Sequence, residues 1–301
     1  MPTVRANDID IWYELRGSSA GGGSASGGGP TLALSHGWMG PTEFWPQAVV
    51  EGLTAKLRVL FYDVRGHGKT TVPEDLDAYS MPQYASDLRA LLDALALDRV
   101  HIGGVSQGGM ISAQFAADYP ERTRSLIISD STAGNGADEG AAGTWERTLA
   151  DAFVQMEEIA RAEGVDAVRV RRMEYDREHD PHYAGNPLEP PAVREERDVR
   201  RYAELTMNGF VGTNRAIRNR PDLTARLREL HMPALVIGGE WDGFYPCSVR
   251  DHKLLEGSRF VTMRRCAHAS PDWRPDAFVP AVTRFVADVE AGRDVAGELV
   301  L

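Results

Sequence analysis

One serine, Ser106, stands among four glycines in the stretch IGGVSQGGM, residues 102–110. Arg99-Val100-His101-Ile102 before it reads as a strand, and the residues from Gln107 onward read as a helix. Gly104 and Gly108 lie two before and two after the serine, the spacing G-x-S-x-G. On a sharp strand-to-helix turn this spacing lifts a strained serine hydroxyl out of a sheet and leaves room where strand and helix converge. The chemistry such a hydroxyl serves is nucleophilic attack, for which it needs a base.

Eight histidines compete for that role. His268, in RCAHAS (residues 265–270), follows the strand-like run 260–263 and precedes the last helix, so it belongs to a loop on the carboxyl side of a parallel sheet. His179, His182 and His231 fall in or beside a helical insertion. His101 lies inside a strand and reads as a packed core residue. His67 and His252 read as surface residues, and His36 as a residue that holds its loop by hydrogen bonds. The imidazole then needs a carboxylate to fix its tautomer and stabilise its charged form. Asp242, in a turn just past the run 234–238, is the preferred residue. Asp130, at the end of the run 125–129, and Glu240 are its rivals. The chain order Ser106, Asp242, His268 is nucleophile, acid, base.

An attacked carbonyl develops negative charge that amide donors must meet. One donor is expected at the backbone N–H of Gln107, where the helix also aims its N-terminal amides. The other is expected from the loop Ser35-His36-Gly37-Trp38, at the N–H of Trp38.

The elements that must position these residues are short continuous apolar runs alternating with helical patterns. The runs are Thr31–Ser35 (TLALS), 59–62 (VLFY), Val100–Val105 (VHIGGV), 125–129 (SLIIS), 234–238 (ALVIG) and 260–263 (FVTM). Such runs suit strands buried on both faces. The span 82–97 places Leu88, Leu91, Leu92 and Leu95 on one helical face. Gln107–Asp118 and 275–289 are further helices, the latter kinked or begun at Pro280. Thr3–Ala6 and Ile9–Arg16 form an antiparallel hairpin around Asn7-Asp8. The fold class is α/β, an eight-stranded, mostly parallel sheet with helices on both faces. The Gly/Ser tract 17–29 reads as a flexible loop between strands.

Residues 132–231 carry no strand pattern. Helical patterns at 145–163 and 193–210 make this span a cap inserted after the sixth strand, with residues 1–131 and 232–301 as the core. Its aromatics Trp145, Tyr175 and Phe210 read as helix core or as pocket lining.

The 301-residue chain is 43% hydrophobic and 26% charged, an ordinary globular composition. A net charge of −11 sets aside nucleic acid and anionic membrane surfaces as partners. Its basic residues are nearly all arginine and are scattered. The two cysteines, Cys247 and Cys266, give neither a CxxC pair nor a disulfide framework. No secretory signal or membrane span is visible, so a cytoplasmic location with reduced thiols is expected. The sequence does not specify an oligomeric state.

Taken in order, Ser35-His36-Gly37-Trp38, Asp63-Val64-Arg65-Gly66-His67-Gly68, Gly104-Val105-Ser106-Gln107-Gly108, Asp242 and His268 resemble the α/β-hydrolase superfamily. The resemblance assigns Asp63 and Arg65 to a structural turn. Residues 62–68, Gly109-Met110-Ile111 and Ala267-His268-Ala269-Ser270 are similar to enol-lactone hydrolases. Ser35-His36-Gly37-Trp38 is similar to the esterase and cofactor-free perhydrolase branch. A serine at position 106 departs from the aspartate of haloalkane dehalogenases and epoxide hydrolases. Val105 and Ala269 depart from the carbon–carbon bond hydrolases.

The resemblance implies a serine hydrolase of a small-molecule ester or lactone, with no metal and no organic cofactor. A carbon–carbon hydrolase, lyase or perhydrolase with the same triad stays open. So does a small-molecule receptor built on the same pocket.

Overall fold

A computed structural model describes residues 2–17 and 30–301. Apart from Gly17, the Gly/Ser tract lies outside the described residues. Nine strands form one sheet: β1 (Thr3–Ala6), β2 (Ile9–Arg16), β3 (Thr31–Ser35), β4 (Arg58–Tyr62), β5 (Val100–Val105), β6 (Thr123–Ser129), β7 (Ala234–Gly239), β8 (Arg259–Met263) and β9 (Gly297–Val300). Their spatial order is β1-β2-β4-β3-β5-β6-β7-β8-β9. All neighbours from β4 to β9 pair in parallel, whereas β2 runs antiparallel to β1 and β4. The hairpin turns at Asn7 and Asp8, whose φ values of 49° and 64° are the pair a two-residue type I′ turn requires.

Every residue of β3, β5 and β7 is buried, which is why these strands read as unbroken apolar runs rather than alternating ones. Alternate side chains enter different layers. Leu32 and Leu34 join α1 (Gln47–Thr54) and α11 (Pro275–Glu290) on one face. Ala33 joins α2 (Met81–Ala94) and α3 (Gln107–Asp118) on the other. α2 starts one residue before the expected Pro82, because the Ser80 hydroxyl accepts from the Gln83 N–H at 3.2 Å. α11 does not start at Pro280. It runs through it, held by Phe278, Val282 and Phe285, all at most 1% exposed.

The sequence pattern marks eight of the nine strands. The ninth, GELV, lies on β8 with all four residues exposed, so no apolar pattern announces it. Five helices lie between β6 and β7: α4 (Ala141–Glu163), α5 (Val165–His179), α6 (Pro191–Ala203), α7 (Met207–Arg218) and α8 (Thr224–Leu227). The helix expected over 193–210 is two. It breaks before Thr206, whose hydroxyl caps α7 by accepting from the Gly209 N–H at 3.1 Å. α5 was not expected at all, since Val168 alone among its residues is buried. Met39, from the loop after β3, packs with Ala160, Tyr202, Phe210 and Val211, so these helices rest on that loop.

The turn after β4 is held by buried charge. Arg65 grips Asp87 of α2 with two hydrogen bonds of 2.7 Å, the two side chains being 6% and 3% exposed. The Asp87 carboxylate also accepts from Asn7 Nδ2 at 2.6 Å, tying the hairpin to the same point. Asp63 accepts the N–H groups of Thr42 (2.8 Å) and Lys69 (2.9 Å). Removing one partner of such a pair leaves the other buried and uncompensated. Asp87→Ala is therefore expected to lower the free energy of unfolding by about 3–5 kcal/mol, read from the midpoint and slope of a urea titration.

Candidate active site

Ser106 joins β5 to α3 with φ 56° and ψ −119°, a conformation that costs a non-glycine residue energy and recurs at functional turns. The local sequence makes the turn possible. A Cβ on Gly104 would overlap the Gly108 backbone, and one on Gly108 would overlap the carbonyls of Ser35 and His36. The turn is anchored by the Ser106 N–H, which donates to Ser129 O at 2.9 Å, and by the Ser131 hydroxyl, which donates to Ser106 O at 2.6 Å.

His268 follows β8, as the spacing predicts. Its Nε2 lies 3.0 Å from Ser106 Oγ, and its Nδ1 lies 3.0 Å from Asp242 Oδ2. The carboxylate can only accept, so Nδ1 carries the proton and Nε2 presents its lone pair to the serine hydroxyl. The other carboxylate oxygen, Oδ1, accepts from the Phe244 N–H at 3.1 Å, and the Phe244 ring stacks on the imidazole at 5.2 Å between centroids. The loops carrying acid and base are tied together. Glu240 N donates to Met263 O, and Trp241 N donates to Cys266 O, both at 2.9 Å.

Asp130 and Glu240 do not take the place of Asp242. Asp130 is fully buried, and both its oxygens are already engaged. They accept from Gly239 N (3.1 Å), Ser270 N (2.7 Å), Ser270 Oγ (2.8 Å) and Ser129 Oγ (2.8 Å). It braces the ends of three loops. Burial, and then the negative charge of Asp242, push its pKa up to about 6. Glu240 accepts from Arg265 N at 3.0 Å at the surface.

The two segments expected to supply amide donors approach the serine. Gln107 opens α3, and a Cβ on Gly37 would sit 3.5 Å from Ser106 Cβ. The loop is held by two imidazoles. His36 Nε2 accepts from the Val64 N–H at 2.9 Å, so its Nδ1 donates to Gly37 O at 2.7 Å. His67 Nε2 accepts from the Met39 N–H at 3.4 Å, so its Nδ1 donates to Arg65 O at 3.2 Å. Burial lowers His36 to about 4 and His67 to about 3, so both stay neutral. His67 is thus no surface residue, being 2% exposed. His252 is half-buried and bonds Ser258 Oγ at 2.7 Å, and His101 is a core residue bonded to Ser125 Oγ at 2.7 Å.

A cavity of about 510 Å³ opens over Ser106. Trp38, Met110, Trp145, Leu149, Phe153 and Met156 form its apolar wall. The Trp38 ring also donates from Nε1 to Asn214 Oδ1 at 2.8 Å, so it packs and lines at once. Trp145 and Tyr175 reach the cavity, whereas Phe210 stays in the helix core against Trp38. Four arginines that look scattered in the sequence, Arg172, Arg194, Arg197 and Arg201, line the same cavity, together with Asp176, Asp180, Asp198 and Asp272. No sequence signal marked them, because a helix face turned to a cavity is as polar as one turned to solvent. Among the described residues, no group of three or more His, Cys, Asp or Glu could hold a metal ion, and no helix is long and apolar enough to cross a membrane.

The family model of the α/β hydrolase fold matches residues 30–275. The chain belongs to the α/β-hydrolase fold family. Among curated relatives of this α/β hydrolase is a Bacillus subtilis protein provisionally named 2-succinyl-6-hydroxy-2,4-cyclohexadiene-1-carboxylate synthase, 27% identical over 84% of this chain and 89% of its own. Another is the pimeloyl-[acyl-carrier protein] methyl ester esterase of Aeromonas hydrophila, 27% identical over 86% of this chain and 96% of its own. The crystal structure of the enol-lactonase from Burkholderia xenovorans LB400 superposes with a TM-score of 0.77 at 24% identity, over 95% of this chain and all of that one.

The His268 titration follows from its surroundings. Burial disfavours the imidazolium, but the charge and hydrogen bond of Asp242 outweigh it, Asp130 adds to them, Arg172 subtracts, and the pKa is raised. An NMR titration of the His268 ring is expected to give a midpoint above 6.5, and Asp242→Asn is expected to move it to lower pH. An unchanged midpoint in the variant would show that the hydrogen bond is not made in solution.

Proposed function

We propose that this α/β hydrolase is a serine hydrolase that cleaves a carboxylic ester or lactone of a small molecule through an acyl-enzyme on Ser106. The observation that carries the reading is the relay of two 3.0 Å contacts, Ser106 Oγ to His268 Nε2 and His268 Nδ1 to Asp242 Oδ2. Asp242 can only accept, which assigns the Nδ1 proton to that contact and leaves Nε2 to accept from the serine hydroxyl.

Neutral His268 takes the hydroxyl proton on Nε2 as Ser106 Oγ attacks the carbonyl carbon. Asp242 stays ionised and stabilises the imidazolium that forms. The N–H groups of Trp38 and Gln107 meet the oxyanion, a contribution of roughly 10²–10³ in turnover for each donor. His268 returns the proton to the leaving alcohol, or to the ring oxygen of a lactone. It then takes a proton from water as the water attacks the acyl carbon, and gives that proton to Ser106 Oγ as the Oγ–acyl bond breaks and the acid leaves. The apolar wall beside Ser106 suits the carbon skeleton of such a substrate. The esterase and the enol-lactonase among the similar proteins act on the two bond types proposed.

The relative named as a synthase keeps a lyase reading in play for the same triad. The two diverge at the acyl-enzyme, which only the hydrolase forms.

The test is hydrolysis of p-nitrophenyl acetate to octanoate and of several lactones by the wild type, Ser106→Ala and Asp242→Asn. Ser106→Ala is expected to lose several orders of magnitude, and Asp242→Asn about 10⁴ in kcat. Intact-mass detection of an acyl adduct on wild type but not on Ser106→Ala is the accompanying observation. Esterase activity that survives Ser106→Ala would end the reading.

A further inference from the structure

One residue of the polar lining has no role in the triad and no adequate partner. Arg201 projects from α6 into the cavity that holds Ser106, with 18% of its side chain exposed. Its guanidinium carbon lies 5.1 Å from the Phe44 ring centroid, and its Nη2 lies 3.7 Å from where a Cβ on Gly40 would be. Gly40 N donates to Gly37 O at 3.2 Å, folding this loop back toward Gly37, the residue that abuts Ser106. Arg201 therefore stands over the same short loop that offers the Trp38 amide.

A guanidinium carries five N–H donors. None of those on Arg201 meets an acceptor at hydrogen-bond distance among the described residues, and its Nε is buried without a partner. Its nearest carboxylate, Asp198, is 3.8 Å away and stands equally far from Arg197. Arg197 by contrast is paired with Glu189 and donates to Asp272 at 3.4 Å. Burial, and then the charge of Arg197, pull Arg201 down to about 10, the signature of a cation short of counter-charge. A buried charge is costly unless it is paired and hydrogen-bonded. A planar carboxylate fits the guanidinium fork with two charge-assisted hydrogen bonds. A doubly charged phosphate fits less well, because Asp176, Asp180, Asp198 and Asp272 line the same cavity. Arg172 stands nearby with its guanidinium 5.2 Å over the Trp38 ring and its nearest carboxylate, Asp176, at 3.9 Å.

We propose that Arg201 is the anion-binding residue of this pocket, and that the substrate is an ester or lactone carrying a carboxylate away from the bond that is cleaved. The proposal rests on Ser106 being the nucleophile. It goes further in naming what else the substrate must carry.

The experiment compares half-esters with neutral esters of the same acyl length: monomethyl glutarate against methyl valerate, and monomethyl adipate against methyl hexanoate, followed by methanol release. The proteins are the wild type, Ser106→Ala, Arg201→Ala, Arg201→Lys and Arg200→Ala. The readout is the ratio of kcat/KM for the charged and neutral members of each pair. The wild type is expected to favour at least one half-ester by roughly 10²-fold, by the strength of a charge-assisted bidentate pair. Arg201→Ala is expected to bring that ratio to about one. Arg201→Lys retains part of it, and the exposed neighbour Arg200→Ala keeps the wild-type ratio. A wild-type ratio near one, or a ratio unchanged in Arg201→Ala, overturns the proposal while leaving the nucleophile intact if Ser106→Ala is inactive. Should the wild type cleave none of the four esters, calorimetric titration with glutarate and with hexanoate decides. Binding of either at least tenfold weaker in Arg201→Ala than in wild type upholds the anion site, and equal binding of both in the two proteins removes it.

Discussion

The site depends on how closely three stretches of backbone approach one another. The end of β3, the turn at Ser106 and the first turn of α3 meet with no side chain between them, since a methyl group on Gly104 or Gly108 would occupy space already taken by main chain. The consequence is positional. Ser106 and the backbone on either side of it, the loop after β3 and the start of α3, are set by main-chain contact, which has few degrees of freedom, rather than by side-chain rotamers, which have many. The strained φ of Ser106 is tolerated because the sheet beneath it is buried on both faces and cannot yield.

The second constraint is the handling of negative charge. Two buried carboxylates, Asp130 and Asp242, lie close to His268, and the charge of Asp242 discourages ionisation of Asp130. The structure separates their work. Asp242 faces the imidazole, and Asp130 turns its four hydrogen bonds into a brace joining the ends of β6 and β7 to the start of α10 (Ser270–Trp273). Asp130 thereby sharpens the field that His268 feels without touching it.

Much of the core was legible in the sequence, for reasons that differ by element. β3, β5 and β7 announced themselves as apolar runs because both their faces are covered. The Ser106 turn announced itself through glycine spacing, which sterics dictate. His268 and Asp242 could be found because a parallel sheet delivers its loops to one edge, so that position in the chain stands in for position in space. Between Asp242 and Asp130 the sequence offered a preference only, since both end a strand on the same side. What stayed hidden were features whose local pattern is ambiguous. α5 buries one side chain and β9 none. His67 sits in a turn of polar residues and is nonetheless interior. Arg201 lies on a polar helix face, and only the placement of that helix over the loop after β3 reveals that the face looks inward.

The imidazole pair that holds the loop after β3 has a consequence for acid solutions. His36 and His67 each use Nε2 to accept a backbone N–H, and protonation would destroy that bond, but burial delays it to about 4 and about 3. His268, with its raised pKa, gains its proton well before either. Between those two titrations lies a band of mildly acidic pH in which His268 carries its extra proton while His36 and His67, still neutral, go on accepting the Val64 and Met39 amides.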